Sequence, residues 1–354
     1  MISLTPERIS SLAEAAIAAP SADNRHVFRI EAKGDSLRLL GTTEFMSAPM
    51  SRRVLGLISI GAVAENLMVR AARLGLLLEP TWHLERHDSP LLVDFTCREV
   101  PGRNDPLDTA IEARHSNRRL RYRGPRLAPT EQERLVTEAS VEGARIVWLD
   151  RSTQRRRALG LVRRAETERF RNQELHRELF VAIRFDLGWH SSAAEGLPPG
   201  SLELPWLERP AFSMLRHWRV QRIANAFGTH HVIGFRAADL PCRFAPHLCA
   251  ITAEGDVDAA AAKAGRLLQR LWLLATRLGL SLQVFAAAPL YALEGATSIR
   301  PQLQRELARG WEELCPEGRP FAVVRLGYAK SPSTRAGRPS PAGMTAIEPS
   351  GRTE

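Results

Sequence analysis

The six residues Arg114–Arg119 have the sequence RHSNRR and place three arginines around a histidine, a serine and an asparagine. Each guanidinium is a planar fork of hydrogen-bond donors that matches a phosphate group, and a serine hydroxyl adds a neutral donor of adjustable direction. The segment follows residues that the sequence predicts as a short helix. It is therefore a candidate phosphate-binding segment, although a solvated basic turn is an equally good interpretation of these six residues alone.

The composition limits the partners that such a segment could serve. The chain has 354 residues, enough for one large domain or two ordinary ones, and 44% of them are apolar, as in a folded globular protein. All but three of its 49 basic residues are arginines, a bias that more often reflects a GC-rich genome than a function. The net charge of +10 forms no lysine-rich tract and no basic strip with interleaved aromatic residues. We therefore expect no nucleic-acid partner, whereas an anionic cofactor or small-molecule substrate fits the charge.

Cysteine and histidine spacing gives no sign of a metal centre. The four cysteines lack CxxC or CxxH spacing, so neither a zinc site nor a disulfide framework is indicated. His230 and His231 have no third ligand at usable spacing. The N-terminal residues lack a signal-peptide pattern, and no apolar run of membrane-spanning length is apparent. We expect a cytoplasmic protein that holds no metal and has no membrane partner.

Apolar spacing and turn residues predict the elements that precede the arginine segment. Thr5 is a plausible N-cap for the first helix, and Pro6 suits its first position. The predicted order is a helix at 5–18, strands at 26–32 and 36–41, a buried helix at 55–74, strands at 80–85 and 91–98, and a linker at 101–106.

The same pattern begins again in the later half of the chain. Residues 127–140 resemble the first helix, and 265–280 align with 61–76, each beginning with glycine and ending with Arg-Leu-Gly-Leu. The two offsets are 124 and 204 residues, so the second copy carries about 80 additional residues before its long helix. Two segments that repeat in the same order favour an internal duplication, as when a two-fold dimer is fused into one chain.

The additional residues, about 152–245, form a candidate lid. They include a stretch rich in Gly, Pro and Trp, which suits a cover over a site, and a plain helical decoration is nearly as good an interpretation. The predicted elements here and beyond are helices at 154–172 and 213–227, and strands at 144–150, 248–253, 282–288 and 321–327.

Together these features resemble the nitroreductase family of FMN-dependent oxidoreductases, and in particular its Acg-like group, in which two nitroreductase-type repeats share one chain. In that family an R-x-S-x-R/K segment binds the FMN phosphate, and Arg114, Ser116 and Arg118 match it in order. His115 lies inside this segment, so the resemblance favours a structural role for it over that of a catalytic acid.

A second motif of the family lies near the N-terminus. Its P-S-x-x-N loop meets the flavin from the opposite half of the dimer, and Pro20, Ser21 and Asn24 match that loop. The family usually continues with Gln-Pro-Trp, whereas this chain has Arg-His-Val at 25–27, so contacts to the ring differ here.

Two further positions match the family in part. Arg335 and Arg338 follow a Gly-Tyr-Ala strand end and correspond to a C-terminal basic pair that adds phosphate ligands. Ala286 and Ala287 stand where the family often has a Glu-Gly pair that gives a backbone N–H to the flavin. The resemblance implies that this chain keeps the backbone donor and lacks the carboxylate.

The two motifs occur in complementary halves, which predicts a single composite site. The first repeat begins too late to carry its own R-x-S-x-R segment, and the second has residues 141–144, VEGA, where the Ser/Asn loop would fall. We therefore expect one FMN per chain and a vestigial second site. NAD(P)H is a candidate electron donor.

The resemblance implies an α+β fold of two fused repeats, at 1–100 and 106–338, packed around long core helices at a pseudo-two-fold interface. A monomer is possible because the dimer-like interface lies within one chain. The tail at 341–354 is rich in Pro, Gly and Ser and is predicted to be disordered.

The implied activity is FMN-dependent transfer of electrons from NAD(P)H, or another donor, to a small organic acceptor such as a nitroaromatic, quinone or enone-like compound. The catalytic residues are not identified by the sequence. Two alternatives stay open: a protein that stores flavin or senses its redox state without turnover, and a flavin-free interaction scaffold.

Overall fold

The computed structural model describes residues 4–34, 36–86, 88–102, 105–296 and 298–348. Within them, the strands are β1 (Phe28–Lys33), β2 (Ser36–Gly41), β3 (Leu76–Trp82), β4 (Leu91–Glu99), β5 (Ala144–Trp148), β6 (His247–Ala253), β7 (Ser281–Phe285), β8 (Arg319–Gly327) and β9 (Thr345–Glu348). The helices are α1 (Pro6–Ala18), α2 (Thr43–Met46), α3 (Met50–Arg73), α4 (Ala110–Ala113), α5 (Pro129–Glu138), α6 (Ser152–Arg171), α7 (Gln173–Ala182), α8 (Arg209–Leu215), α9 (Trp218–Ala226), α10 (Thr229–Gly234), α11 (Leu240–Arg243), α12 (Val257–Arg277), α13 (Ala287–Tyr291) and α14 (Pro301–Leu314).

The described strands form two sheets. The first has the order β3-β4-β2-β1-β9 and the second the order β5-β6-β8-β7. Neighbouring strands are antiparallel, except that β9 pairs parallel with β1. Predominantly antiparallel sheets packed with helices make this an α+β fold, as predicted.

The long helices α3 and α12 pack against each other through two glycines. A Cβ atom built on Gly61 would lie 2.1 Å from the carbonyl oxygen of Ala262, and one on Gly265 would lie 2.0 Å from that of Ile58. Both pairs are related by the 204-residue offset that aligns the two helices in the sequence. The contact is therefore reciprocal, and only glycine allows the backbones to come this close.

Buried polar contacts hold these two helices in register. Glu65 on α3 is 1% exposed and accepts from Arg266 at 3.1 Å and Arg270 at 2.6 Å on α12. Gln269 donates to the side-chain oxygen of Asn66 at 2.6 Å. Removing either partner of a buried pair leaves an unpaired polar group, so a slip of one helix along the other is unfavourable.

Several predicted bounds are wrong for physical reasons. The strand predicted at 80–85 is β3, which begins at Leu76 directly after Gly75 ends α3 with a positive φ of 73°. The strand predicted at 282–288 ends at Phe285, because the next residues turn into α13. The helix predicted at 213–227 is two helices, α8 and α9, separated by His217 in an extended conformation.

The predicted disorder of the tail is also wrong for the residues that the structure describes. Residues 345–348 form β9, which adds to the edge of the first sheet beside β1. An unpaired strand edge offers a row of backbone donors and acceptors, so it orders a segment whose composition alone suggests none. Residues 349–354 of that prediction lie outside the described residues, as do 103 and 104 in the predicted linker.

One described helix, α3, is long and apolar enough to cross a membrane by length and composition, which the sequence analysis did not anticipate. However, 89% of its most apolar window is buried inside the protein. It is the core helix that carries Gly61.

The close contact of α3 and α12 predicts a sharp difference between glycine variants. Gly61→Ala would force Cβ into a backbone oxygen, so we expect the free energy of unfolding to fall by about 2–3 kcal/mol. Gly160→Ala on α6 is the matched control, because nothing lies within 4 Å of its Cβ position. That variant is expected to gain about 0.5–1 kcal/mol. Urea unfolding measures both, and similar values for the two variants would contradict the account.

Candidate functional site

A cavity of about 640 Å³ lies between segments from both halves of the chain and beneath the inserted residues 152–245. Its size is that of a pocket for a cofactor or small molecule. Six of the predicted site residues line it: Pro20, Ser21, Ser116, Arg118, Ala286 and Ala287. The other five, Asn24, Arg114, His115, Arg335 and Arg338, lie outside its lining.

The arginine segment is fixed beside the start of β7. Ser116 forms a parallel bridge with Leu282, and the backbone N–H of Asn117 donates to the Leu282 carbonyl at 3.1 Å. The Asn117 side chain is fully buried and donates to the Ser281 hydroxyl and to the Lys330 carbonyl. Asn117 therefore positions the segment, a role that the sequence analysis did not assign to it.

Arg114 is a buried guanidinium with few partners. It donates to the Ala18 carbonyl at 3.0 Å and its Cζ lies 4.4 Å from the ring centre of Trp272, while its Nε has no hydrogen-bond partner. Burial, and then the charge of Arg338, lower the pKa of Arg114 well below its usual value. The buried position of the Arg114 guanidinium thus disfavours its charged form.

Arg338 lies beside Arg114. It donates to the side-chain oxygen of Asn24 at 2.8 Å and, at 3.5 Å, to the same Ala18 carbonyl that Arg114 contacts. Burial lowers the pKa of Arg338 as well. Two guanidiniums from residues far apart in the chain therefore share one neutral acceptor.

Arg118 is a third predicted arginine of the site and lines the cavity itself; we refer to Arg114, Arg118 and Arg338 together as the arginine cluster. Arg118 donates to the Ser201 carbonyl at 3.4 Å, and burial lowers its pKa despite the opposing effect of Asp23. In the part of the chain that the structure describes, no carboxylate forms an ion pair with any of the three. Buried charges without partners are unfavourable, so the cluster is suited to an anion such as phosphate.

The first-half loop supplies a second orphaned group. The hydroxyl oxygen of Ser21 is buried, lines the cavity and has no hydrogen-bond partner within the described residues. Across the cavity, Ala286 and Ala287 lie at the beginning of α13, where first-turn N–H groups have no acceptor within the helix. The cavity therefore has a cationic side and a wall with polar donors.

Three predicted site residues take other positions. Asn24 donates to three carbonyls of the inserted segment, those of Ala193, Ala194 and Gly196. His115 donates through Nδ1 to the Ala113 carbonyl at 2.8 Å, which agrees with a structural role. Arg335 is exposed, and its backbone carbonyl accepts from Ser192 of the inserted segment.

The inserted segment covers the cationic side of the cavity. Besides its bonds to Asn24, the Ala193 carbonyl accepts from Gly337, and Thr334 donates to the Trp189 carbonyl. A Cβ on Gly200 would lie 1.9 Å from that same carbonyl, so the cover packs closely. These contacts agree with a lid over the arginine cluster.

Farther from the arginines, the cavity is apolar. Ion pairs also line it: Arg52 contacts Asp23 at 2.6 Å and Glu178 at 3.0 Å, and Arg169 contacts Glu166 at 3.2 Å. The inserted segment supplies many apolar lining residues: Phe170, Leu175, Leu179, Ile183, Leu197, Leu202, Phe212, Leu215, Val232 and Ile233.

His26 lies outside the cavity lining but within the electrostatic influence of Arg338, at the position where the sequence departs from the family motif. Its ring is buried, with one nitrogen 3.2 Å from the Ile17 carbonyl and the other, Nδ1, without a partner. Burial, and then the charge of Arg338, lower the pKa of His26 to about 4. It therefore stays neutral beside the arginine cluster at neutral pH.

Comparisons with known proteins give distant similarities. No family model matches the chain. The uncharacterized protein MT1398 of Mycobacterium tuberculosis is 26% identical over 344 residues, which cover 91% of this chain and 46% of that protein. The chain thus spans about half the length of this relative.

Solved nitroreductase-type structures align with two thirds of the chain at low identity. The FMN-dependent nitroreductase NfnB of Mycobacterium smegmatis, in complex with NADPH, is 16% identical with a TM-score of 0.40, covering 68% of this chain and 97% of that one. A nitroreductase with bound FMN from Bacteroides fragilis is 13% identical with a TM-score of 0.36, covering 64% and 89%. Values this low assign no function, so the proposal below depends on the residues of the cavity.

The low pKa of His26 predicts a pH dependence of stability. Protonation of His26 is less favourable in the folded state than in the unfolded chain. The contribution of the neutral ring to the free energy of unfolding is therefore complete above about pH 6.5 and is lost as the pH falls toward 4. As the pH is lowered from about 7 to about 5, we expect protonation of His26 in the unfolded chain to lower the free energy of unfolding by about 2 kcal/mol.

Urea unfolding across this range measures how the free energy of unfolding changes with pH. His26→Gln is expected to remove the part of that change that His26 causes. The matched control, His190→Gln at an exposed position, is expected to leave the pH dependence unchanged. Equal slopes for wild type and His26→Gln would show that the histidine is not held in this way.

Proposed function

We propose that the protein is an FMN-binding oxidoreductase of the nitroreductase type, with one composite flavin site per chain. The observation that carries the proposal is the arginine cluster: Arg114 is buried and Arg118 and Arg338 are half-buried, none forms an ion pair with a carboxylate in the described part of the chain, and Arg118 lines a cavity shared by both halves. A phosphate dianion would neutralise the buried guanidiniums, and an arginine fork binds phosphate with two parallel hydrogen bonds.

Residues of the cavity lining, together with Arg114 and Arg338 outside it, fit the parts of FMN. Arg114, Arg118 and Arg338 would hold the phosphate, and the orphaned Ser21 hydroxyl would meet the ring or ribityl chain from the first half. When bound, FMN supplies two-electron chemistry between a donor such as NAD(P)H and an organic acceptor. The chain supplies binding, orientation and control of access.

The single site follows from a proposed internal duplication of 1–100 and 106–338. A second cleft has five lining residues that are displaced by 204 positions from residues lining the first cavity. Its counterpart of Ala286 is Trp82, and its counterpart of Ser59 is Lys263. Larger side chains stand at both positions, so we infer that the second cleft binds no FMN and that the arrangement is Acg-like.

The apolar part of the cavity favours an apolar, planar acceptor such as a nitroaromatic or quinone. Tyr291 lines the cavity, and the Arg169 guanidinium donates to its oxygen at 3.4 Å. Burial raises the pKa of Tyr291, so the phenol stays protonated at neutral pH. This phenol is the proton donor that we assign to reduction of the acceptor.

A flavin-storage protein is the second candidate, and the contacts of the inserted segment favour it. The hydrogen bonds that Asn24 donates to the carbonyls of Ala193, Ala194 and Gly196 hold the inserted segment against the first-half loop. If they also exclude NAD(P)H, bound flavin would not turn over.

The arginine cluster predicts selectivity for FMN over riboflavin. Each charge-assisted hydrogen bond to the phosphate is worth about 1.5–3 kcal/mol, so we expect wild type to bind FMN at least about 100-fold more tightly. Arg338→Gln and Arg114→Gln are expected to weaken FMN binding by about 10-fold or more and to leave riboflavin binding nearly unchanged.

Fluorescence titration of the flavin-free protein measures both ligands. The matched control is Arg134→Gln, an exposed arginine of α5. Equal affinity of wild type for FMN and riboflavin, or two FMN per chain, would refute the composite phosphate site.

Rapid mixing of the yellow protein with NADPH separates the two candidate functions. Bleaching of the flavin absorbance, followed by recovery on addition of a quinone, is the result that we expect of an oxidoreductase. A flavin band that persists with both NADPH and NADH would favour storage.

A further inference from the structure

The inserted segment carries an unusual share of exposed apolar side chains. Eleven large hydrophobic residues are exposed in the part of the chain that the structure describes, and eight of them lie between Val181 and Phe235. These eight are Val181, Trp206, Leu207, Met214, Ile223, Phe227, Val232 and Phe235. Exposed apolar side chains concentrated in one segment make that segment a candidate interaction site.

Arginines share this surface. Along α9 and its C-cap, the exposed positions are Arg219, Arg222, Ile223, Ala226 and Phe227, which have the spacing of one helix face. The opposite face carries the buried Gln221. The helix therefore presents basic and apolar groups together to solvent.

The charge of the region is strongly one-sided. Residues 205–236 contain five arginines and a single acidic residue, Glu208, which pairs with Arg236 at 3.2 Å. Arg219 and Arg222 form no ion pair within the described residues. We call residues 205–236 the basic–apolar surface.

The basic–apolar surface is continuous with the apolar part of the cavity. Phe212 and Leu215 on α8, and Val232 on α10, line the cavity. Val232 is nevertheless 66% exposed, so it lies where the cavity meets the outside. The exposed surface and the cavity therefore share apolar residues, together with the ion-paired Glu208 and Arg236.

We propose that the basic–apolar surface docks on an anionic phospholipid bilayer. Exposed Trp and Phe side chains suit insertion at the interface, and arginines suit the phosphate headgroups above it. A purely apolar patch would fit a second copy of the chain, but a second copy would bring five more arginines to the same place. Interfacial docking needs no membrane-spanning helix, so the proposal departs from the expectation of no membrane partner, which was drawn from the lack of such a segment.

Vesicle co-sedimentation of the full chain tests the proposal. With vesicles containing about one quarter phosphatidylglycerol in phosphatidylcholine, we expect about tenfold more bound protein than with phosphatidylcholine alone. Binding is expected to fall several-fold as salt rises from about 0.05 to 0.5 M, because the headgroup attraction is screened.

Variants assign the binding to particular residues. Phe227→Ser together with Ile223→Ser is expected to reduce binding by about tenfold or more on anionic vesicles. Arg219→Gln with Arg222→Gln is expected to remove most of the preference for anionic lipid. The matched control is Leu77→Ser with Leu278→Ser, since these leucines are 43% and 51% exposed but lie outside the inserted segment.

Three outcomes would overturn the proposal. One is equal binding by the control and the Phe227/Ile223 variant, and another is no binding to either vesicle. The third is a dimer in sedimentation velocity that Phe227→Ser dissociates, because the occupant would then be a second copy. None of these depends on flavin, so failure here leaves the proposed function standing.

Discussion

Arg114 and Arg338 share one carbonyl acceptor, Arg118 lines the neighbouring cavity, and within the described residues no carboxylate forms an ion pair with any of the three. Arg114 and Arg118 come from the segment beside β7, and Arg338 arrives from the C-terminal region to share the Ala18 carbonyl with Arg114. Holding such charges away from water is unfavourable unless an anion completes the site. The fixed segment, the neutral His26 and the close cover by the inserted residues are consistent with a site built around that anion.

The helix pair α3 and α12 makes this arrangement possible. Reciprocal contacts at Gly61 and Gly265 bring the backbones of the two halves together, and Glu65 fixes their register. The loop with Ser21 then faces the wall that ends in Ala286 and Ala287. The inserted segment closes the cationic side of the cavity and at the same time lines its apolar side, so it links the cofactor region to the basic–apolar surface.

The sequence predicted what local pattern and motif can determine. The α+β class is confirmed. Ser21, Ser116 and Arg118 line one cavity, and their role as flavin ligands stays a prediction. Sequence-based prediction failed where contacts between distant residues determine the structure. Strand β9 forms because it pairs with the edge of β1, and the Asn24 amide donates to carbonyls about 170 residues away. The sequence did not single out His26 or Trp272. Their roles arise from burial and from a nearby arginine, Arg338 for His26 and Arg114 for Trp272, and no local sequence pattern shows these contacts.

The central claim is that both halves of the chain enclose one phosphate dianion among buried guanidiniums. Phosphorus NMR of the flavin-loaded protein tests it most directly, because a free phosphate monoester titrates with a second pKa of about 6. For the wild-type protein, the account predicts one phosphorus resonance per chain whose chemical shift is constant between about pH 5.5 and 8. In Arg338→Gln, that resonance is expected to move and to become sensitive to pH. A resonance that titrates near 6 in the wild-type protein would contradict it.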